Sequence, residues 1–146
     1  MKLVNDKEAG FSLLSLLIAV MIIGIMAALA VPKFNAAIAM ANTSRVESDL
    51  SEIDAAIAMY KLDTGKNTVS DIKALSEYLT DVDNIKPPKG TCYLKAGGTI
   101  DLTDTDVYEV KLHGTEYRAV CREKVASDFG KPASTSSSSG SGSGGE

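Results

Sequence analysis

Residues 11–31 read FSLLSLLIAVMIIGIMAALAV, a run of 21 residues without a single charge. As an α-helix this run spans about 31 Å at about 1.5 Å per residue, which matches a bilayer core of roughly 30 Å. Its polar side chains, Ser12 and Ser15, can bond back to helix carbonyls. Membrane insertion is therefore the direct reading. A soluble domain that buried such a helix on all sides would need more chain than the rest of this 146-residue protein supplies. A cleaved secretory signal is the other reading. Ala28-Leu29-Ala30 has the small-x-small form, and Lys2 and Lys7 give a weakly basic start. Against it, the run exceeds the roughly 7–15 apolar residues of such signals. Asp6 and Glu8 also dilute the leader's charge, and helical periodicity continues past the candidate cleavage point.

That continuation follows directly. Val46, Leu50, Ile53, Ile57 and Tyr60 recur at spacings of four, three, four and three, so they share one helix face. Arg45, Glu47, Asp49, Glu52, Asp54 and Lys61 largely fill the other side, and Gly65 is a plausible stop. Pro32 is the one interruption, and it predicts a kink near Ala28 to Val31. The expected element is a helix of about 50 residues, near 75 Å long, apolar all round in its first half and amphipathic in its second.

Just ahead of the run, Gly10-Phe11-Ser12-Leu13-Leu14 follows a short charged leader. This resembles the processing site of type IV prepilins, a family that includes pilins and the pseudopilins of type II secretion and competence. The resemblance implies cleavage by a prepilin peptidase between Gly10 and Phe11 and methylation of the new Phe11 amine. Gly24 and Pro32 fall where the family carries helix-weakening residues, and with Ser15 they are the candidate filament contacts. The fifth residue of the processed chain is usually glutamate in the family, where it is thought to neutralise a neighbour's terminal ammonium. Here it is Ser15, which accepts a hydrogen bond but supplies no charge. The resemblance covers residues 1 to about 62.

Beyond the long helix, Ser70 to Leu79 predicts a short helix with Ser70 as N-cap and Ile72, Leu75, Tyr78 and Leu79 on one face. Pro87-Pro88 ends it. Strand-like runs follow at Thr91 to Leu94, Val107 to Leu112 and Thr115 to Arg122, with turns at Gly97-Gly98 and His113-Gly114. A three- or four-stranded antiparallel sheet packed on the amphipathic half of the helix is expected. Cys92 and Cys121 lie on the first and last strong strands. A bond between them would close a loop of about 30 residues, worth roughly 3–4 kcal/mol in a chain-entropy estimate. A pair of free buried thiols is the alternative. In many pilins a C-terminal disulfide closes the variable surface region, and this spacing resembles that arrangement.

Asp101, Asp104 and Asp106, with Glu109 nearby, could gather round calcium, but the spacing is not that of an EF-hand, and a solvated acidic loop is the plainer reading. Asn42-Thr43-Ser44 matches a glycosylation sequon inside the long helix. Two cysteines and His113 fall short of a zinc set, so no metal or other cofactor is expected. No nucleophile–base arrangement can be built on the single histidine, so the chain does not read as an enzyme. A net charge of −4 without a basic run gives no direct nucleic-acid site.

The fold class expected is α+β, the type IV pilin-like fold: one long N-terminal helix packed against a small antiparallel sheet. The expected domains are a leader at 1–10, a transmembrane and polymerisation helix at 11–32 and the amphipathic half of the helix at 33–64. A small globular region at 65–131 and a Ser/Gly tail at 132–146 complete the chain. The expected function is a subunit that a prepilin peptidase processes and that assembles through its N-terminal helix into a surface filament for adhesion, motility, DNA uptake or secretion. Its partners are further copies of itself, the peptidase and the pilus assembly machinery. Before assembly it is a single-pass membrane protein with the small domain outside the cytoplasm; afterwards it is part of a filament at the cell surface. A monomeric, membrane-anchored binding module is the alternative.

Overall fold

A computed structural model of the chain describes residues 13–132. The chain divides into two units, Met1–Ala37 and Ile38–Glu146. The helix α1, Leu13–Thr64, has residues in both. It is unbroken through Gly24 and Pro32, since a proline interior to a helix removes one hydrogen bond and leaves its other bonds in place.

In the second unit, α1 presents Ala39, Thr43, Val46, Leu50, Ile53, Ala56 and Ile57 to the interior. Their three- and four-residue spacing is what places them along one side. Tyr60, the last member of the expected stripe, is partly buried against the same core. Gly65 closes the helix with its N–H on the Lys61 carbonyl at 3.0 Å and a φ of 65°, the left-handed conformation that favours glycine.

The short helix expected over Ser70–Leu79 is tighter and shorter. A 3-10 helix covers Ile72–Leu75, with Asp71 rather than Ser70 as its cap. The Asp71 carboxylate accepts the Ile72 N–H at 2.6 Å. Three-residue bonds continue from Ser76 to Lys73 and from Tyr78 to Leu75. This winding buries Leu75 and Leu79 and packs Ile72 on the core, so it satisfies the same apolar spacing with fewer residues.

Four strands follow: β1 Gly90–Tyr93, β2 Thr99–Leu102, β3 Tyr108–His113 and β4 Glu116–Cys121. They form two antiparallel hairpins, not one continuous sheet. Cys92 pairs with Ile100 in the first, and Val110 with Ala119 in the second. Gly97 and Gly98, both at positive φ, turn the first hairpin, and Gly114 turns the second. His113 is the last residue of β3, opposite Glu116, rather than part of the turn.

After β4 the chain reverses at Arg122-Glu123, both at positive φ, with Cys121 and Lys124 exchanging backbone bonds of 2.9 and 3.0 Å. Side chains at such angles are strained. Ion pairs hold both here, Arg122 to Asp106 at 2.6 Å and Glu123 to Lys111. The reversal returns the C-terminal segment to β1, where Leu94 bridges Phe129. Phe129 is fully enclosed in the core.

Candidate functional site

Two features stand out, one in each unit. In the first, the large apolar side chains from Leu13 through Val31 are about half exposed or more, reaching 85% at Leu13, and Phe34 is 66% exposed. No side chain in the helical stretch 13–32 is charged. Fully burying each such residue is worth about 1.5–3 kcal/mol, so leaving the set in water costs tens of kcal/mol. A folded domain is stable by only about 5–15 kcal/mol. An apolar phase or other protein must therefore cover this surface. The helix is long and apolar enough to cross a membrane, with none of its apolar window buried. Ser15 sits on this exposed stretch. Around Gly24, a side chain would meet nothing within 4 Å.

In the second unit, side chains of α1 occupy hydrogen-bonding positions that the strands leave vacant. Asn42 donates to the carbonyls of Lys89 at 3.3 Å and Thr91 at 3.5 Å. The Thr43 hydroxyl donates to Ala39 at 2.6 Å and accepts the Tyr93 N–H at 2.8 Å. Asp54 does the same for β4. One of its oxygens accepts the Ala119 N–H at 2.7 Å, and the other takes Arg118 through Nε at 2.9 Å and Nη2 at 2.8 Å. Between them, Asp49 accepts the Tyr108 hydroxyl at 2.7 Å. Burial and the Asp49 carboxylate both hold the Tyr108 phenol strongly in its protonated form. The helix thus seals one edge of each hairpin, which protects open strand edges from wrong pairing.

The sequon residue Asn42 is one of these contacts, its amide nitrogen already donating. The carboxylates of Asp101, Asp104, Asp106 and Glu109 do not converge on one site. Asp101 accepts the Thr91 hydroxyl at 2.6 Å, Asp104 pairs with Lys89 at 2.8 Å and Glu109 with Lys111 at 2.8 Å. Asp106 takes Arg122 and the Thr103 N–H, both at 2.6 Å. Arg122 first, then the Thr103 amide, pull its carboxyl down to about 2. Among the described residues, no group of three His, Cys, Asp or Glu side chains could hold a metal ion.

Cys92 and Cys121 lie in one core with Leu50, Leu102, Tyr108 and Phe129. Both are fully buried and both thiols are free, so the tie expected between them is not made in this structure. Gly10 and Phe11 lie outside the described residues.

Residues 5–31 match the signature described as the prokaryotic N-terminal methylation motif. The chain is also 37% identical over 59 residues to "Type II secretion system core protein G" of Escherichia coli (strain K12), covering 40% of this chain and 41% of that protein. The protein of the same name from Klebsiella pneumoniae is 35% identical over 61 residues, 42% of this chain and 44% of that one. The chain is similar to these secretion-system proteins over part of its length, and its N-terminal segment carries the methylation motif.

The chain spans about two fifths of the length of the curated relatives it matches. No solved structure matches the chain significantly. The α+β architecture of a long N-terminal helix with small antiparallel sheets is that of a pilin-like fold. The motif contains Gly10, Phe11, Ser15 and Gly24, and Pro32 follows it by one residue. Sequence reasoning missed Asn42, Thr43 and Asp54 as edge contacts. Two of the three are polar residues on an otherwise solvated-looking face, and only Thr43, in phase with Ala39 and Val46, carried a spacing signal.

Proposed function

We propose that this pseudopilin-like chain is a filament subunit of a type II secretion apparatus, held in the membrane until assembly. The observation that carries it is the apolar surface of Leu13–Val31, which is left exposed among the described residues. A bilayer covers it before assembly, and the helices of neighbouring copies cover it afterwards. The relatives named as secretion-system core protein G favour secretion over adhesion, motility or DNA uptake. In this reading residues 1–10 are a leader, and a prepilin peptidase cuts after Gly10 and methylates Phe11. Residues 11–32 form the membrane and polymerisation segment, and the small unit lies outside the cytoplasm. Ser15 supplies no charge to a neighbour's terminal ammonium, so that group is solvated or paired by some other means. In an oxidising compartment Cys92 and Cys121 form a disulfide.

Mass spectrometry of the mature protein tests the processing step. A methylated Phe11 at the N-terminus is expected, and replacing Gly10 with leucine should leave the full precursor. An N-terminus at Val31 would overturn the reading, as would normal cleavage of the Gly10→Leu chain. Sedimentation of the processed protein then tests assembly; a species that stays monomeric in every membrane and detergent condition is a membrane-anchored module instead.

A further inference from the structure

Cys92 and Cys121 belong to different hairpins, and those hairpins share no backbone ladder. Both side chains are at 0% exposure within the single core of the small unit. That core closes around two free thiols and includes Phe129, which the C-terminal segment delivers. The reduced chain is therefore already a complete fold.

Disulfide exchange needs a thiolate and an open approach to sulfur. Neither is offered here. Burial, with the charge of Asp106 and the neighbouring Cys92 adding to it, pushes the Cys121 thiol up to about 12. Burial also raises Cys92, offset in part by its bond with Thr43. An oxidant the size of a small disulfide has no path to either sulfur without opening the core.

We propose that the pair is a one-way latch: an oxidant of the disulfide class joins Cys92 to Cys121 only while the small unit is unfolded, and folding preserves whichever state the chain then has. One cysteine thiolate attacks the oxidant's sulfur, forming a mixed disulfide and releasing one thiol. The second cysteine thiolate attacks the mixed disulfide and releases the other. Two protein thiols lose two protons and two electrons, and one oxidant disulfide becomes two thiols. The compartment in which the unit folds therefore decides whether the two hairpins are covalently tied. This inference stands on the small unit alone and does not depend on the secretion reading.

The test uses the full chain in detergent micelles, fully reduced, exposed to glutathione disulfide at neutral pH. Samples are alkylated at intervals and weighed by mass spectrometry. The folded chain should form the Cys92–Cys121 bond at least about 100-fold more slowly than the chain in urea. Its rate should rise with urea in step with the loss of folded signal. Cys92→Ser and Cys121→Ser chains, unfolded, should stop at the mixed disulfide. Comparable rates for folded and unfolded chains overturn the latch. So does failure of the unfolded chain to form the bond, either directly or on refolding with the oxidant present.

Discussion

Asp54 holds three donors on two oxygens, and each donor comes from β4 or its side chains. Its carboxylate is mostly buried, while Arg118 is 39% exposed. Removing it strands the Ala119 N–H, whose residue is fully buried. A buried group left without its partner costs about 1–3 kcal/mol. Asp54→Ala should therefore lower stability by about 2 kcal/mol, read as a reduced urea midpoint. Loss of Arg118 alone should cost less, because the amide keeps its acceptor. Asp106 gives a pH prediction at the same scale. Its folded carboxyl ionises near about 2, held there mainly by Arg122, against about 3.9 for an unfolded aspartate. Its contribution is therefore complete above about pH 4 and is lost as the pH falls towards 2. Denaturation midpoints measured from pH 5 to 2 should fall less steeply for Asp106→Asn than for the parent chain.

Among the elements, the C-terminal segment after β4 is the most consequential beyond α1. Phe129 is the bulkiest fully enclosed side chain of the small unit. Its segment is tied to β1 by Lys95 N–H to Asp128 at 2.8 Å and Gly130 N–H to Tyr93 at 3.0 Å. Phe129→Ala should cost about 3–5 kcal/mol, as an emptied aromatic site does. Thermal unfolding of the small unit reads this out, and a loss under about 1 kcal/mol would show that the segment is dispensable. This element was not legible beforehand. A single phenylalanine between a bend and a Ser/Gly tail has no periodicity to announce it. The stripe on α1 was legible, because four of its five members are buried and the fifth packs on the core. Three of the four strands were legible from their turns, yet β2 at Thr99–Leu102 and the division into two hairpins were not. That division depends on what lies along each edge.

For the whole molecule, the balance between water and an apolar phase decides behaviour. The exposed surface of Leu13–Val31 outweighs the stability of any domain of this size. Introducing one charge near the middle of that stretch should shift the balance. Ile22→Asp adds about 2.5–3.5 kcal/mol to the cost of insertion. The substituted chain should move from the membrane pellet towards the soluble or degraded fraction, while the small unit's urea midpoint stays unchanged. Unaltered membrane recovery would mean that something other than this apolar helix holds the chain there. The Gly10→Leu experiment complements it, since that change should leave insertion intact and block only maturation.

The amino-acid sequence by itself determined the membrane-length helix, its amphipathic continuation, the motif at Gly10-Phe11 and the presence of strands after Pro88. Composition and periodicity are local properties, and each can be read within a few turns of chain. Only the tertiary structure decided that Asn42, Thr43 and Asp54 complete strand edges, that Phe129 fills the core and that both cysteines are sealed within it. Those contacts join residues 47 to 65 positions apart in the case of the edge bonds. A polar side chain looks solvated in sequence until a distant backbone N–H or carbonyl arrives beside it, and burial then makes the bond between them obligatory.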